Sequence, residues 1–147
     1  FTQAIHETAL ARAAGSYQEP VGPARRILDN ICAGRMRSVS MRRFYAWMDD
    51  FSAEPDWIAL DIRHPKEAEF FVEKFGADKW LSMPYTEVRK RSAEIPENKT
   101  LIILCDAGTR SFEVQVFLDH IGKTNSLVLG GGFNVIRRLG ADWLPQA

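Results

Sequence analysis

The feature that most constrains the fold is a short apolar run, residues 101–104 (LIIL), followed by a polar loop and an amphipathic segment. A continuous apolar run of this length is typical of a strand that is covered on both faces in a parallel sheet. After the loop, apolar residues recur at helical spacing: Val114, Phe117, Leu118 and Ile121. This spacing predicts a helix that begins near Ser111 and is capped by Gly122. Residues 100–121 therefore predict one strand–loop–helix unit of an α/β fold, with the function at its loop.

The loop between this strand and this helix begins with a cysteine and continues with small and polar residues: Cys105, Asp106, Ala107, Gly108, Thr109 and Arg110. A loop that leaves the carboxyl end of a strand and enters a helix directs successive backbone N–H groups to one point, and the helix dipole adds positive charge there. A thiol in such an anion site, near the permanent charge of Arg110, is favoured as the nucleophilic thiolate. Gly108 can adopt a positive φ. Arg110 is expected either to face a bound oxyanion or to close the loop.

Two interpretations of Cys105 are open. A single cysteine at the end of a buried strand is usually a small core residue. A core cysteine does not require a polar turn with Gly108 and Arg110, however, and this context favours a nucleophile. No histidine is clearly placed as a base, because His120 lies most of a helix away and His64 is interpreted as a solvated loop residue. Activation by backbone N–H groups and Arg110 does not need one.

Further elements fit the same fold. Residues 57–60 predict a second strand, with Asp61 and Arg63 at its carboxyl end, the edge where sites assemble in parallel sheets. These two side chains can either orient the Cys105 loop or form an ordinary structural ion pair. The remaining predicted elements are helices over residues 40–50 (N-cap Ser40), 66–75 and 85–93, a strand over residues 127–129, a glycine turn at residues 130–132 and a short closing helix around Val135.

The pattern Cys-x-x-Gly-x-Arg-Ser, from Cys105 to Ser111, resembles the active-site loop of the rhodanese-like sulfurtransferases. Three other segments resemble that family in the same order: residues 57–63 (WIALDIR) followed by Pro65 and Glu67, residues 81–84 (LSMP), and residues 128–133 (VLGGGF). The resemblance covers roughly residues 36–145. It implies a rhodanese-like α/β domain over residues 36–147, an open and mainly parallel sheet of about four or five strands with helices on both faces.

The resemblance also implies a reaction. In this family the loop from cysteine to arginine has six residues in the sulfurtransferases and seven in related phosphatases and arsenate reductases, and here Cys105 to Arg110 is six. Cys105 would then take sulfur from thiosulfate or a low-molecular-weight persulfide and pass it to a thiol or to cyanide, without a metal or organic cofactor. The loop residues that would hold the sulfur are Asp106, Ala107, Gly108, Thr109, Arg110 and Ser111, with Asp61 and Arg63 in support. Residues 73–80 (EKFGADKW) lack a histidine found in many rhodaneses, which leaves substrate preference open.

The alternative is a non-catalytic module: a regulatory, docking or redox-sensing rhodanese domain of a larger protein, such as one fused to a disulfide or persulfide reductase. The chain begins with Phe1 rather than methionine, and residues 1–35 stand apart as a predicted N-terminal helical appendage and linker that can contact a fused or partner domain. Cys32 is interpreted as part of an apolar face of this appendage, and alternatively as a resolving thiol for Cys105.

Composition restricts the other function classes. Nineteen basic and nineteen acidic residues cancel, so nothing in the charge favours nucleic acid or an anionic membrane as a partner. No apolar run approaches the ~18 residues of a membrane span, and no signal peptide is recognisable. With only two cysteines in 147 residues, the sequence predicts a reducing, cytoplasmic setting.

Overall fold

In the computed structural model the residues described are 36–52 and 56–146, together with Arg25 and Gly34. The fold lies in the unit Arg37–Ala147. The predicted appendage and Cys32 lie outside the described residues, as does almost all of residues 1–35.

Within residues 36–52 and 56–146, five strands and four α-helices follow one another along the chain. They are β1 (Ser38–Val39), α1 (Met41–Asp49), β2 (Trp57–Asp61), α2 (Pro65–Phe75), β3 (Trp80–Ser82), β4 (Thr100–Leu104), α3 (Thr109–His120), β5 (Ser126–Leu129) and α4 (Gly132–Leu139). The strands form one sheet in the order β1-β5-β4-β2-β3, and every pairing is parallel. The predicted open α/β sheet is therefore confirmed, and β4 at its centre is the apolar run from which the prediction started.

Side chains alternate between the two faces of the sheet, as they must along any strand. In β2, Trp57 and Ala59 point to one face, while Ile58 and Leu60 point to the other. On the first face lies what we call the aromatic layer, covered by α1, α2 and α4; its buried rings are Phe44, Trp47, Trp57, Phe71, Trp80, Phe133 and Trp143. On the second lies the aliphatic layer, covered by α3; its buried members are Ile58, Leu60, Ile62, Met83, Val88, Ile95, Leu101, Ile103, Cys105, Val114, Leu118 and Val128.

The structure agrees with most predicted elements and shifts their ends. Ser40 is the N-cap of α1, its hydroxyl accepting a hydrogen bond from the Arg43 N–H at 3.1 Å. The helix after the loop begins at Thr109 rather than Ser111, because Gly108 has φ 101° and serves as the N-cap. The helix ends at His120, and Gly122, with φ 89°, lies just beyond it. A two-residue strand, β1, was not predicted at all.

The predicted helix over residues 85–93 is wrong. This segment instead forms two 3₁₀ turns, Tyr85–Glu87 and Ser92–Glu94. Its first residue is held by the neighbouring chain, because the Tyr85 N–H donates to the Ile62 carbonyl at 2.9 Å. Val88 and Ile95 are both buried in the aliphatic layer. Short turns, rather than one straight helix, bring both ends of the segment onto that layer.

Candidate active site

Cys105 follows β4 directly and is 5% exposed. Its thiol packs within the aliphatic layer and is not part of a disulfide. The Gly108 N–H donates a hydrogen bond to Cys105 Sγ at 2.9 Å. The chain therefore curls back so that a backbone donor at the start of α3 points at the sulfur, which is the arrangement that stabilises negative charge on it.

The first turn of α4 holds the backbone of this loop. The Phe133 N–H donates to the Cys105 carbonyl at 3.0 Å, and the Asn134 N–H donates to the Asp106 carbonyl at 2.9 Å. Because N–H and C=O point in opposite directions across a trans peptide, the N–H groups of Asp106 and Ala107 are directed away from α4. The two carbonyls that would repel an anion are thus turned toward α4.

Gly132 is required for this close approach. A Cβ atom there would overlap the Cys105 carbonyl oxygen and lie 2.8 Å from the Asp106 carbonyl oxygen. Gly132 also has φ 53°, a conformation that residues with a side chain rarely adopt. The sequence predicted a glycine turn over residues 130–132, and the structure shows the contact with the Cys105 loop that makes glycine necessary at Gly132.

The predicted loop residues lie in different environments, and Gly108 is buried as the N-cap of α3. Asp106 and Ala107 are exposed at the mouth of the loop, whereas Thr109 and Arg110 are exposed in the first turn of α3. Ser111 is fully buried, and its hydroxyl makes no hydrogen bond with the described residues. The loop proper is therefore shorter than the sequence suggested, and Arg110 is carried by the helix.

Asp61 and Arg63 form a buried ion pair at the end of β2. Arg63 Nε and Nη2 donate to the two carboxylate oxygens of Asp61 at 3.0 and 2.9 Å, and the Trp80 indole N–H donates to the same carboxylate at 3.0 Å. The Arg63 guanidinium lies 3.5 Å from the centroid of the Phe133 ring. Both side chains thus sit on the aromatic-layer side of the sheet, and besides each other they contact Trp80, Phe133 and Glu67 directly.

A chain of charges connects this ion pair to the cysteine loop. Arg63 Nη1 lies 3.7 Å from Glu67 Oε2, and Arg137 Nη2 lies 3.5 Å from the same oxygen. Arg137 Nη2 also donates to Asp106 Oδ1 at 3.1 Å. The support that Asp61 and Arg63 can give the loop is therefore indirect, through Glu67 and Arg137. Sequence reasoning missed Arg137, which carries no motif and lies 32 residues beyond Cys105.

A second feature missed in the sequence is a cavity of about 140 Å³ between α3 and the segment that follows β3. It is lined by Tyr85, Thr86, Val88, Arg89, Glu113, Val114 and Phe117. The pKa of Tyr85 is raised, first by burial and then by its hydrogen bond to Glu113, while the charges of Arg110 and Arg89 partly offset the shift. We call this cavity the α3 groove.

The remaining candidates have structural roles. His64 is the N-cap of α2, its Nδ1 accepting from the Lys66 N–H at 3.1 Å. Residues 36–52 and 56–146 contain no group of three or more His, Cys, Asp or Glu side chains that could hold a metal ion. No helix among these residues is both long and apolar enough to span a bilayer.

The chain is similar to several known proteins, although no family model matches it. A tRNA sulfurtransferase from Marinobacter nauticus is 34% identical over 56 residues, which are 38% of this chain and 12% of that protein. A rhodanese-related protein from Thermoplasma volcanium has a crystal structure with a TM-score of 0.56 and 23% identity, covering 71% of this chain and 93% of that one. An NAD-dependent persulfide reductase from A. fulgidus gives a TM-score of 0.52 and 26% identity, covering 80% of this chain and 20% of that one.

The match spans about an eighth of the Marinobacter protein and a fifth of the reductase chain. With the all-parallel five-stranded sheet, these likenesses show that the described part of the chain has a rhodanese-like fold.

Proposed function

We propose that this chain is a sulfurtransferase that carries sulfur as a persulfide on Cys105. The observation that carries the proposal is the hydrogen bond from the Gly108 N–H to Cys105 Sγ at 2.9 Å, in a loop whose carbonyls are turned toward α4. A sulfur atom in this position is stabilised as an anion by backbone donors and by the N-terminus of α3. The name of the Marinobacter relative supports sulfur transfer as the class of reaction, and its tRNA substrate is not part of the proposal.

The reaction proceeds in two balanced steps. The Cys105 thiolate attacks the outer sulfur of thiosulfate, and the S–S bond of the donor breaks, so that sulfite leaves with the electron pair. An acceptor thiolate or cyanide then attacks the terminal sulfur of the Cys105 persulfide, and the Cys105 thiolate leaves. A low-molecular-weight persulfide replaces thiosulfate as donor if its thiolate is the leaving group. The second step releases Cys105 as the thiolate, so the cycle closes without a separate reductant. The proposal requires only that the thiol is not consumed by oxidation, which is consistent with a reducing, cytoplasmic setting.

The loop residues have distinct roles in this proposal. The Gly108 N–H, and the N–H groups of Asp106 and Ala107 that point away from α4, stabilise the charged sulfur throughout. Arg110, exposed at the start of α3, attracts an anionic donor to the mouth of the loop. Asp61 and Arg63 act through Glu67 and Arg137 to keep the loop in place.

The test is the intact mass of the chain after brief incubation with thiosulfate, compared with the Cys105→Ser variant. We expect the parent chain to gain the mass of one sulfur atom and to lose it on addition of cyanide, while the variant gains nothing. Folded, reduced protein that gains no mass with thiosulfate or with glutathione persulfide would contradict the proposal.

A second candidate is a regulatory, docking or redox-sensing module of a larger protein. The likeness to one fifth of the persulfide reductase chain favours it, since a domain of this kind there forms part of a longer polypeptide. A docking module should keep its affinity for a partner when Cys105 is changed to Ser. A sulfurtransferase should lose all turnover with the same substitution.

A further inference from the structure

Asp106 places a carboxylate at the mouth of the cysteine loop, directly after the proposed nucleophile. Its side chain is exposed, and the Cα atoms of consecutive residues are only about 3.8 Å apart. A carboxylate turned toward the Cys105 sulfur would repel an anionic reactant, because two unit charges about 6 Å apart in water change a rate roughly threefold. The side on which this carboxylate lies therefore affects how the thiol reacts with anions.

In the structure this carboxylate is bonded to α4. Arg137 Nη2 donates to Asp106 Oδ1 at 3.1 Å, and the Asn134 N–H donates to the Asp106 carbonyl at 2.9 Å. The Gly108 N–H, by contrast, points at Cys105 Sγ. In the described part of the chain, Arg137 is the one side chain that pairs with the Asp106 carboxylate. Both oxygen-bearing groups of Asp106 are thus held by α4, while the sulfur has its own backbone donor.

Arg137 is itself held by further acceptors, although its side chain is exposed. Its Nη1 donates to Asn134 Oδ1 at 3.1 Å, and its Nη2 lies 3.5 Å from Glu67 Oε2. Glu67 Oε2 lies 3.7 Å from Nη1 of the buried Arg63. A planar guanidinium that spans several acceptors is more closely fixed than a flexible ammonium group. Arg137 therefore has a defined position beside the loop, and it is connected to the buried ion pair.

We propose that Arg137 is a positioning residue for Cys105: it holds the Asp106 carboxylate against α4 and so keeps the mouth of the loop open to an anionic reactant. Arg137 acts through Asp106 rather than by attracting the anion itself. Without Arg137, the exposed Asp106 side chain is free to adopt rotamers over the mouth, where its charge opposes the incoming anion. Because Cys105 is taken as the nucleophile, this role rests on the proposed function, but alkylation tests it without sulfur transfer.

The test compares two alkylating reagents, iodoacetate and iodoacetamide, of which only the first is charged. With either reagent the Cys105 thiolate displaces iodide from carbon and forms a C–S bond. The rates are measured at low ionic strength from the intact mass of the whole chain, and Cys105→Ser gives the background from the other cysteine, Cys32. We expect Arg137→Gln to lower the rate with iodoacetate about threefold relative to the rate with iodoacetamide.

Arg138→Gln is the matched control. Arg138 is the next residue, is exposed and makes no ion pair in the described part of the chain, so its substitution removes the same charge without releasing Asp106. It should leave the ratio of the two rates unchanged. An unchanged ratio in Arg137→Gln, or equal slowing with both reagents, would overturn the inference, since a merely structural role slows both reagents alike.

Asp106→Asn distinguishes positioning from direct attraction of the anion. If Arg137 acts through Asp106, Arg137→Gln should change the ratio by less than about 1.5-fold when residue 106 is already Asn, because the two substitutions are then not additive. A larger remaining loss would mean that Arg137 attracts the anion directly, and it would overturn the inference. All of these variants should fold, because an exposed ion pair contributes little to stability, and urea denaturation of each one checks this.

Thiosulfate then separates failure of this role from failure of the chemistry. Arg137→Gln should slow the loading of Cys105 by thiosulfate more than it slows alkylation by iodoacetate, since thiosulfate carries two negative charges. Loading at the parent rate would overturn the role of Arg137 and leave the Cys105 persulfide intact. If the parent chain never gains sulfur, the proposed function is overturned, while the alkylation ratios still decide the role of Arg137.

Discussion

The two faces of the sheet are built from different side chains. The aromatic layer contains seven buried rings, whereas the buried members of the aliphatic layer are Ile, Leu, Met and Val side chains and Cys105. Phe71 and Trp80 stack at 4.8 Å between centroids with planes 16° apart, and Phe133 lies 5.4 Å from Phe71. Large rings with few rotatable bonds give a face that fixes positions closely. The Cys105 thiol lies on the opposite face.

The comparison shows that Cys105 and the groups that hold its loop belong to different faces of the sheet. Cys105 belongs to the aliphatic layer, but the N–H groups that hold its loop come from α4, which is anchored in the aromatic layer by Phe133. Arg63 lies against the same ring and is paired with Asp61. Rigid packing on one face therefore sets the geometry of the site on the other, while the aliphatic face is left to form the α3 groove.

The largest effect on stability should follow from breaking the buried Asp61–Arg63 ion pair on the aromatic face. Asp61→Ala leaves Arg63, 7% exposed, with only the longer contact to Glu67 as a counter-charge, and it also removes the acceptor of the Trp80 indole. We expect a loss of about 3–5 kcal/mol in the free energy of unfolding, measured by urea denaturation. The double variant Asp61→Ala/Arg63→Met removes both charges and should recover much of the loss. A single variant within about 1 kcal/mol of the parent would contradict the role given to this pair.

The next largest effect should come from breaking the close contact between Gly132 and the cysteine loop. Gly132→Ala puts a methyl group against the Cys105 and Asp106 carbonyls and forces a side chain into φ 53°. We expect a stability loss of about 2–3 kcal/mol, from backbone strain plus displacement of the loop. We also expect the rate of persulfide formation from thiosulfate to fall about tenfold or more, because the donors around the sulfur move.

Gly140→Ala is the matched control for this substitution. Gly140 has φ 75°, and a Cβ atom there meets nothing within 4 Å. It should therefore lose only about 1–2 kcal/mol from backbone strain and keep its rate of persulfide formation. If both alanine variants keep the same rate, the turn before α4 does not position the cysteine loop.

The sequence predicted the centre of the fold because the signals there are local. Residues 101–104 are apolar without interruption, and a strand buried on both faces requires this. The two-residue β1 was missed since so short a strand has no periodicity of its own and is defined only by its pairing with β5. The segment over residues 85–93 was wrongly predicted as a helix, because its path is set by the Ile62 carbonyl and by burial of Val88 and Ile95.

For the site, the sequence named the residues of the loop but not those that contact it from elsewhere. Because Cys105, Gly108 and Arg110 are close in the chain, their pattern could be recognised in the sequence. Arg137 carries no pattern and meets the loop only after α4 has packed. Of the two roles considered for Asp61 and Arg63, the structure shows the ion pair. Their connection to the loop runs through Glu67 and Arg137, and it depends on tertiary distances that no spacing in the chain reveals.

The smallest effect concerns the charge of Lys79, which lies on the aromatic layer at the edge of the sheet where β2 and β3 begin. Lys79 Nζ lies 3.7 Å from the centroid of the Trp57 ring and donates to the Trp57 carbonyl at 2.8 Å. Burial lowers the pKa of Lys79 to about 8; Lys99 adds to the shift, and Asp56 opposes it. Between about pH 8 and the ordinary value of 10.5 the unfolded chain binds more protons at this site than the folded chain, so stability rises with pH across that window.

Lys79→Met keeps the apolar stem over Trp57 and removes the titrating group, so the variant should lack this part of the rise. Because Lys79 is partly exposed, solvent screening should keep the difference below about 1 kcal/mol. The measurement is urea denaturation of the parent chain and Lys79→Met at pH 7 and pH 10, in which other titrating groups cancel between the two proteins. The parent should gain stability relative to the variant at the higher pH. If the parent instead loses stability relative to the variant at pH 10, the ring face of Trp57 stabilises the charged amine more than burial destabilises it. The aromatic layer would then favour a cation at Lys79, as it does at Arg63.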